Sequence, residues 1–205
     1  MKVKVILFDI DGVLIRMPHY FSHELERQGY KNATSILNDF FMGKYKNKYL
    51  RGETAMEKAI VPYLKKLGWE SSAKKFLEMQ FNYEEKFLDK NLISFIKDLQ
   101  KKGVQCYLGT DQSKIRAKFL LNKMNFKNIF DGYFVSCYVG KRKTDNKFWE
   151  HTIEKLERKV KGIKPEEIVF FDDIQKNVDT ALKFGIKAFL FENVSQLKKD
   201  LKKLS

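Results

Sequence analysis

The sequence predicts an α/β protein, in which a doubly wound parallel sheet carries a small all-helical segment inserted after its first strand. Short apolar runs rich in Val, Ile and Phe recur without hydrophobic–polar alternation, which is typical of parallel strands covered on both faces. Amphipathic helical patterns separate most of these runs, and such strand–helix alternation builds a parallel sheet. The 205 residues are enough for one sizeable core and a small accessory domain.

Five strands and four helices of the sheet region follow from these patterns. The predicted strands are 3–8, 104–108, 133–136, 168–171 and 188–191. The predicted helices are 91–102, 113–124, 174–184 and a C-terminal helix from residue 195, each with apolar residues at helical spacing. Ser113 is placed to cap the second of these helices, and Gly185 is placed to end the third. Together these elements predict a Rossmann-like core over residues 1–15 and 90–205.

Residues 16–89 show helical spacing but contain no buried strand run. We therefore predict that they form a helical cap, built from four short helices. Thr54 and Glu57 match a Thr-x-x-Glu capping box, which would start one of these helices. Pro62 falls inside a helical pattern and is expected to kink it.

The composition excludes several classes of protein. The formal net charge is +14, but the lysines are scattered and form no long block, so a Lys-rich surface is favoured over a nucleic-acid footprint. Two distant cysteines, Cys106 in an apolar run and Cys137, have no metal or disulfide spacing. No apolar stretch approaches the roughly 18 residues of a membrane span, and the first apolar run is too short for a signal sequence. We therefore expect a cytoplasmic protein without a membrane partner.

Polar side chains follow the predicted strands at the points where the strands end, the edge at which open α/β sheets bind ligands. Carboxylates gathered in one cleft repel each other unless a cation lies among them, and oxygen-only ligands favour Mg²⁺. A lysine and a hydroxyl nearby suit a phosphate group. A carboxylate can itself attack phosphorus once a metal has offset the charge repulsion. The residues expected to meet at this edge are Asp9, Asp11, Thr110, Lys143, Asp172 and Asp173.

Four segments resemble, in order, the signatures of the haloacid dehalogenase (HAD) superfamily. FDIDGVL resembles the first signature, hhhDxDG[TV]L, and YLGTD resembles the second, a strand that ends in Thr or Ser. VGKRKTDNKFWE resembles the third, and IVFFDDIQKNVDTALKFGI resembles the fourth, DDxxxNhxxAxxxGh. The helical insertion is similar to the C1-type cap of the superfamily. RGE, VGKRK and VFFDD together resemble the branch that contains alpha-glucose-1-phosphate phosphatases.

The resemblance implies a role for each residue of the first and second signatures. Asp9 would be the nucleophile and a metal ligand. Asp11 would be the general acid/base, with its main-chain carbonyl also on the metal. Thr110 would hold the transferring phosphoryl group. Asp111, where relatives most often have Asn, would border the bound phosphate and bring a negative charge beside it.

The third and fourth signatures would complete the site. Lys143 would hold the phosphoryl group, with Lys141 as the alternative lysine in the same loop. Thr144 replaces the usual Pro, which would loosen that loop. Asp173 would bind Mg²⁺ directly, and Asp172 would bind it directly or through water.

The resemblance predicts a Mg²⁺-dependent phosphatase that acts on a small phosphorylated metabolite, a sugar phosphate or a nucleotide-like compound, through an aspartyl phosphate. A phosphomutase with the same core is the enzymatic alternative. A nucleic-acid-binding protein on a retained HAD fold is the alternative from another class, and it predicts salt-sensitive binding to DNA or RNA. The sequence leaves both a monomer and a homodimer open.

Overall fold

One sheet of five parallel strands forms the centre of residues 3–204, the part of the chain that the computed structural model describes. The strands lie in the order β3-β2-β1-β4-β5. The prediction of a parallel α/β sheet is therefore confirmed. The bounds of the strands are β1 (Val5–Phe8), β2 (Gln105–Thr110), β3 (Gly132–Val135), β4 (Ile168–Asp172) and β5 (Lys187–Leu190).

Residues 16–89 form six helices, so the prediction of four was wrong. Breaks at Gly43, Arg51 and Ile60 divide the apolar pattern into shorter pieces. These helices bury their own apolar cluster, which includes Leu25, Phe40 and Phe76. The helices are α1 (Phe21–Arg27), α2 (Ala33–Met42), α3 (Lys46–Leu50), α4 (Met56–Ala59), α5 (Val61–Leu67) and α6 (Ala73–Glu85).

Two local predictions in this helical insertion were also wrong. Helix α4 begins at Met56 after Ala55 and has no side-chain cap, so Thr54 does not form the expected capping box. Pro62 lies in the first turn of α5, where a missing N–H costs no hydrogen bond. It therefore begins a helix and does not kink one.

Within residues 3–204, seven further α-helices follow the insertion. Asp89 caps α7 by accepting a hydrogen bond from the Leu92 amide, and Ser113 caps α8 as predicted by accepting one from the Arg116 amide. Helix α8 ends earlier than predicted and continues into a π-helical turn, Phe119–Lys123. The bounds are α7 (Lys90–Lys101), α8 (Lys114–Lys118), α9 (Phe126–Ile129), α10 (Ser136–Val139), α11 (Asn146–Lys159), α12 (Gln175–Leu182) and α13 (Val194–Lys203).

Alternate residues of each strand bury opposite faces of the sheet. Ile6 and Phe8 pack into one apolar cluster with residues of α7 and α13. Val5 and Leu7 pack into a second cluster with residues of α11 and α12. Helices therefore cover both faces, which is the doubly wound arrangement and explains why the strand sequences lack alternation. Among the helices of residues 3–204, none combines the length and apolar character that crossing a bilayer requires.

Candidate active site

The carboxyl ends of three adjacent strands bring the predicted residues together. Strand β1 lies between β2 and β4, and Asp9 follows its last residue. The Asp9 amide donates a hydrogen bond to the Phe171 carbonyl of β4 at 3.0 Å, which places Asp9 beside Asp172. Thr110 ends β2 on the other side and is 1% exposed. Rigid neighbouring strands therefore fix the position of each of these side chains.

Lys143 lies between two buried carboxylates. Its Nζ is 2.6 Å from Oδ2 of Asp9 and 2.6 Å from Oδ2 of Asp172. The lysine is 1% exposed, whereas Lys141 is only partly buried. Of the two lysines that the sequence offered, the structure therefore brings Lys143 to the carboxylates.

Two hydrogen bonds fix the main chain of Lys143. Its carbonyl accepts a hydrogen bond from Nε1 of Trp149 at 2.8 Å, and Trp149 is itself fully buried against Phe170. Its amide donates to Oδ1 of Asp111 at 3.0 Å. Thr144 is the next residue in the chain. The loop was expected to be loose because Thr144 replaces a proline, but these two hydrogen bonds hold it at Lys143.

The Asp111 carboxylate binds protein groups on both of its oxygens. Oδ2 accepts a charge-assisted hydrogen bond from Nε of Arg142 at 2.9 Å, and Oδ1 accepts from the Lys143 amide. Arg142 also donates to the side chain of Asn47 in the helical insertion at 2.8 Å. The negative charge expected to repel a phosphate is therefore paired with Arg142, and it orients the Lys143 loop.

Asp172 ends β4 and Asp173 follows it, and the two acids have different surroundings. Oδ1 of Asp172 accepts hydrogen bonds from the Ile174 amide at 2.8 Å and from the Asn177 side chain at 3.0 Å. Asp173 is exposed and lies against Gly12. Gly12 has a φ of +78°, and a Cβ at this position would lie 2.0 Å from Oδ2 of Asp173. Glycine is therefore required at position 12, where the loop after β1 passes the side chain of Asp173.

Burial sets the charge balance of the site. It raises the pKa of Asp9 well above its ordinary value; Lys143 opposes this shift and Asp172 adds to it. Burial also raises the pKa of Asp173, with a further contribution from Asp172. Burial alone would lower the pKa of Lys143, but Asp9 and Asp172 outweigh it and raise that pKa. The site therefore favours additional positive charge near its carboxylates.

Three carboxylates are close enough together to hold a metal ion. One oxygen each from Asp9, Asp172 and Asp173 lies within 4.8 Å of the others. An all-oxygen set of this kind suits a hard cation such as Mg²⁺. The side chain of Asp11 points elsewhere, so a metal contact from Asp11 would have to come from its main chain, as the sequence comparison implied.

The Asp11 carboxylate is held on both oxygens by residues that follow β2. Oδ1 accepts a hydrogen bond from Nη2 of Arg116 at 2.7 Å, and Oδ2 accepts from Nε2 of Gln112 at 2.8 Å. The same Gln112 nitrogen donates to Oγ1 of Thr110 at 3.2 Å. The side chain of Asp11 is 48% exposed, so it is accessible at the edge of the buried charges.

The helical insertion contacts the core beside this site. Oγ of Ser136 donates to the Leu50 carbonyl at 2.6 Å, and Nζ of Lys114 donates to the Gly52 carbonyl at 2.8 Å. Arg51 pairs with Asp145 at 3.2 Å. These contacts hold the loop that follows α3 against the carboxyl edge of the sheet.

Some residues of the site were not singled out from the sequence. Asn177 had a signal, since it is the Asn of the fourth signature. Arg116, and Glu84 of the insertion with which it pairs, had only a weak one: each is a charged residue on the buried side of its helix. Gln112 had none, because its contacts with Asp11 and Thr110 depend on the backbone path after β2.

Comparison with known proteins agrees with this fold. Residues 3–185 match the family model described as haloacid dehalogenase-like hydrolase. The chain belongs to this family. A HAD family enzyme from Bacteroides thetaiotaomicron, solved in complex with magnesium and inorganic phosphate, has the same fold, with a TM-score of 0.72, 19% identity, and coverage of 95% of this chain and 98% of that one.

Two curated relatives match parts of this HAD chain. Flavin mononucleotide hydrolase 1 of Arabidopsis thaliana is 34% identical over 83 residues, which are 40% of this chain and 32% of the relative. A sesquiterpene phosphatase of Aspergillus oryzae is 31% identical over 101 residues, which are 48% of this chain and 47% of the relative. Each match therefore spans less than half of the relative's length.

Proposed function

We propose that this chain is a Mg²⁺-dependent phosphatase that hydrolyses a small phosphorylated metabolite through an aspartyl phosphate on Asp9. The observation that carries the proposal is the buried arrangement of Asp9, Lys143 and Asp172, with Nζ of Lys143 2.6 Å from a carboxylate oxygen of each acid. A carboxylate on a rigid strand end, next to a fixed cation, suits phosphoryl transfer, because that chemistry depends mainly on positioning and electrostatics.

Asp9 is the nucleophile in this proposal. Its carboxylate oxygen bonds to phosphorus while the bond between phosphorus and the ester oxygen breaks. Lys143 and the Thr110 hydroxyl bind the oxygens of the phosphoryl group. The paired contacts of Asp111 and Trp149 with the main chain of Lys143 keep its ammonium in place during this step.

Asp11 is the general acid and then the general base. It gives a proton to the leaving ester oxygen, so the alcohol departs neutral. It then takes a proton from a water molecule whose oxygen bonds to phosphorus, and the bond between Asp9 and phosphorus breaks to release inorganic phosphate. Its half-exposed carboxylate is consistent with access to both the alcohol and the water.

Asp9, Asp172 and Asp173 would hold the Mg²⁺ ion, with the main-chain carbonyl of Asp11. The raised pKa values of Asp9 and Asp173 fit this assignment, because a bound cation would favour their ionised forms. When bound, Mg²⁺ supplies positive charge that offsets the repulsion between these carboxylates and a phosphate. The magnesium and phosphate bound by the Bacteroides relative support the same choice of cation.

We propose that residues 16–89 act as a C1-type cap over the site and limit the substrate to a small molecule. Lys114, Ser136 and Arg142 connect the sheet core to the insertion next to the catalytic acids. A docked insertion would exclude bulk water and strengthen the electrostatic interactions beneath it. Substrate identity would then depend on the inner surface of these helices.

The test is phosphate release from a panel of phosphate monoesters, with and without Mg²⁺. The panel includes 4-nitrophenyl phosphate, alpha-glucose 1-phosphate, other sugar phosphates, flavin mononucleotide and a prenyl phosphate, because the relatives' names point to the last two classes. We expect release that requires Mg²⁺ and is lost in Asp9→Asn. Absence of release across the panel with Mg²⁺ present would contradict the proposal.

A further inference from the structure

A buried arginine outside the four signature segments joins Asp11 to the helical insertion. Arg116 on α8 is 7% exposed. Its Nη2 donates to Oδ1 of Asp11 at 2.7 Å, and its Nη1 pairs with Glu84 of α6. We call these three residues, Asp11, Arg116 and Glu84, the Arg116 bridge.

The surroundings of the guanidinium come largely from α6. Glu84 is 4% exposed, and its other carboxylate oxygen, Oε1, accepts a hydrogen bond from Nε2 of Gln80 at 2.8 Å. The ring of Phe81 lies against the guanidinium, with 5.3 Å between Cζ and the ring centroid. Three residues of one helix in the insertion therefore fix the plane of Arg116.

Buried charges of this kind need a reason. Isolated charges are costly to bury, and a buried ion pair is often no more stable than apolar residues of the same volume. The planar fork of Arg binds two carboxylates in directions that the rigid guanidinium fixes, whereas the donors of a lysine ammonium rotate about a flexible stem. Here the fork binds an acid of the insertion with one nitrogen and an acid of the sheet edge with another. This geometry is better explained by the placement of the Asp11 side chain than by a contribution to stability alone.

We propose that Arg116 is a positioning residue for Asp11, and that Glu84 makes this placement depend on the docking of α6 against the core. The inference rests on the proposed function, in which Asp11 transfers the proton to the leaving oxygen. With Arg116 held by α6, Asp11 has both oxygens fixed, one by Arg116 and one by Gln112. If α6 moved away, Arg116 would lose Glu84, and only Gln112 would then hold the Asp11 carboxylate in a fixed direction for proton transfer.

Leaving-group sensitivity tests this inference, because only a poor leaving group needs its proton. The first substrate is benzyl phosphate, whose leaving group departs as an alkoxide unless it is protonated. The second is 4-nitrophenyl phosphate, whose leaving group departs readily as the 4-nitrophenolate anion. The quantity measured is the ratio of kcat/KM for the two esters, in the presence of Mg²⁺. General acid catalysis typically accelerates a reaction by about 10²–10⁴-fold. The fall of the ratio in Asp11→Asn therefore measures the effect of losing the general acid completely.

The informative variants are Glu84→Gln, which keeps the shape and removes the charge, and Arg116→Lys, which keeps the charge and removes the fork. We expect each to lower the benzyl-to-nitrophenyl ratio by about tenfold or more, since small misplacements of a reacting group can cost up to about 10²-fold. Lys118→Met is the matched control. It replaces an exposed lysine of the same helix, α8, and it should leave the ratio unchanged.

The outcomes separate the two proposals. Wild-type protein that hydrolyses neither ester overturns the proposed function and this inference with it. Wild-type protein that hydrolyses both esters, with variants whose benzyl-to-nitrophenyl ratio is unchanged or raised, overturns this inference alone. If a single variant does not fold, as judged by circular dichroism, the double variant Glu84→Gln with Arg116→Gln removes both buried charges, and it should show the same loss of ratio.

Discussion

Replacing Lys143 with Met should destabilise the fold as well as abolish efficient catalysis. The change removes a cation 2.6 Å from each of two buried carboxylates, Asp9 and Asp172. Removal of one partner from a buried ion pair typically costs about 3–5 kcal/mol, because the remaining charge is left uncompensated. For a chain of this size, that corresponds to a fall in Tm of roughly 6–20 °C. We therefore expect the free energy of unfolding at pH 8 to fall by about 3–5 kcal/mol.

The loss should depend on pH in a defined direction. Burial already raises the folded pKa of Asp9, and Lys143 is the group that opposes the rise. A carboxyl whose folded pKa is raised contributes stability that is fully present below its unfolded pKa, about 3.9, and is lost as pH rises through the folded value. In Lys143→Met the folded pKa of Asp9 rises further. The stability difference from wild type should therefore be largest above that value and should narrow as pH falls toward 3.9.

Urea unfolding in EDTA, at pH 8 and again at mildly acidic pH, measures this difference without a contribution from bound metal. Lys147→Met is the control, since Lys147 is an exposed lysine on α11. A Lys143→Met protein that is as stable at pH 8 as the control would refute the argument. A stability difference that widened as pH fell would refute the assigned role of Asp9.

Three further substitutions test the parts of the site that hold the reacting groups. Gly12→Ala should raise the Mg²⁺ concentration for half-maximal activity by about tenfold or more, because the new Cβ would displace the carboxylate of Asp173, and unaltered Mg²⁺ dependence would contradict this. Asp111→Asn should lower kcat/KM for 4-nitrophenyl phosphate roughly fivefold, because it weakens the hydrogen bond from the Lys143 amide to residue 111 by about 1 kcal/mol. An increase in kcat/KM would mean that the charge of Asp111 repels the substrate. Trp149→Phe should cost about 1–3 kcal/mol in urea unfolding, since it leaves the Lys143 carbonyl without its donor, and a stability equal to that of wild type would count against this.

The sheet and the edge that carries the candidate site could be predicted from the sequence for one physical reason. Strands buried on both faces read as continuous apolar runs, and in a parallel sheet their carboxyl ends meet at one edge. Asp9, Thr110 and Asp172 could therefore be placed together before their contacts were known. The end of β1 and the start of β4 are as predicted, and the other strand bounds differ by one or two residues. Pairing with neighbouring strands extends β2 to Thr110 and β4 to Asp172.

The helical insertion was predicted less well, because periodicity does not define where short helices break. Helical spacing continues across Ile60, although α4 ends and α5 begins there. The ion pair between Arg116 and Glu84 joins two helices that are distant in sequence, and no local pattern gives their relative register. The role of Asp111 was open for the same reason, since its pairing with Arg142 depends on the path of a loop.

The central claim is that Asp9 carries the phosphoryl group during turnover. The most direct measurement is acid quenching of the wild-type protein while it hydrolyses 4-nitrophenyl phosphate with Mg²⁺, followed by peptide mapping by mass spectrometry, with Asp9→Asn treated in parallel. We predict a phosphorylated peptide whose modified residue is Asp9, and no modification or turnover in the variant. A phosphoryl group found on another residue, or undiminished phosphate release by Asp9→Asn, would contradict the account.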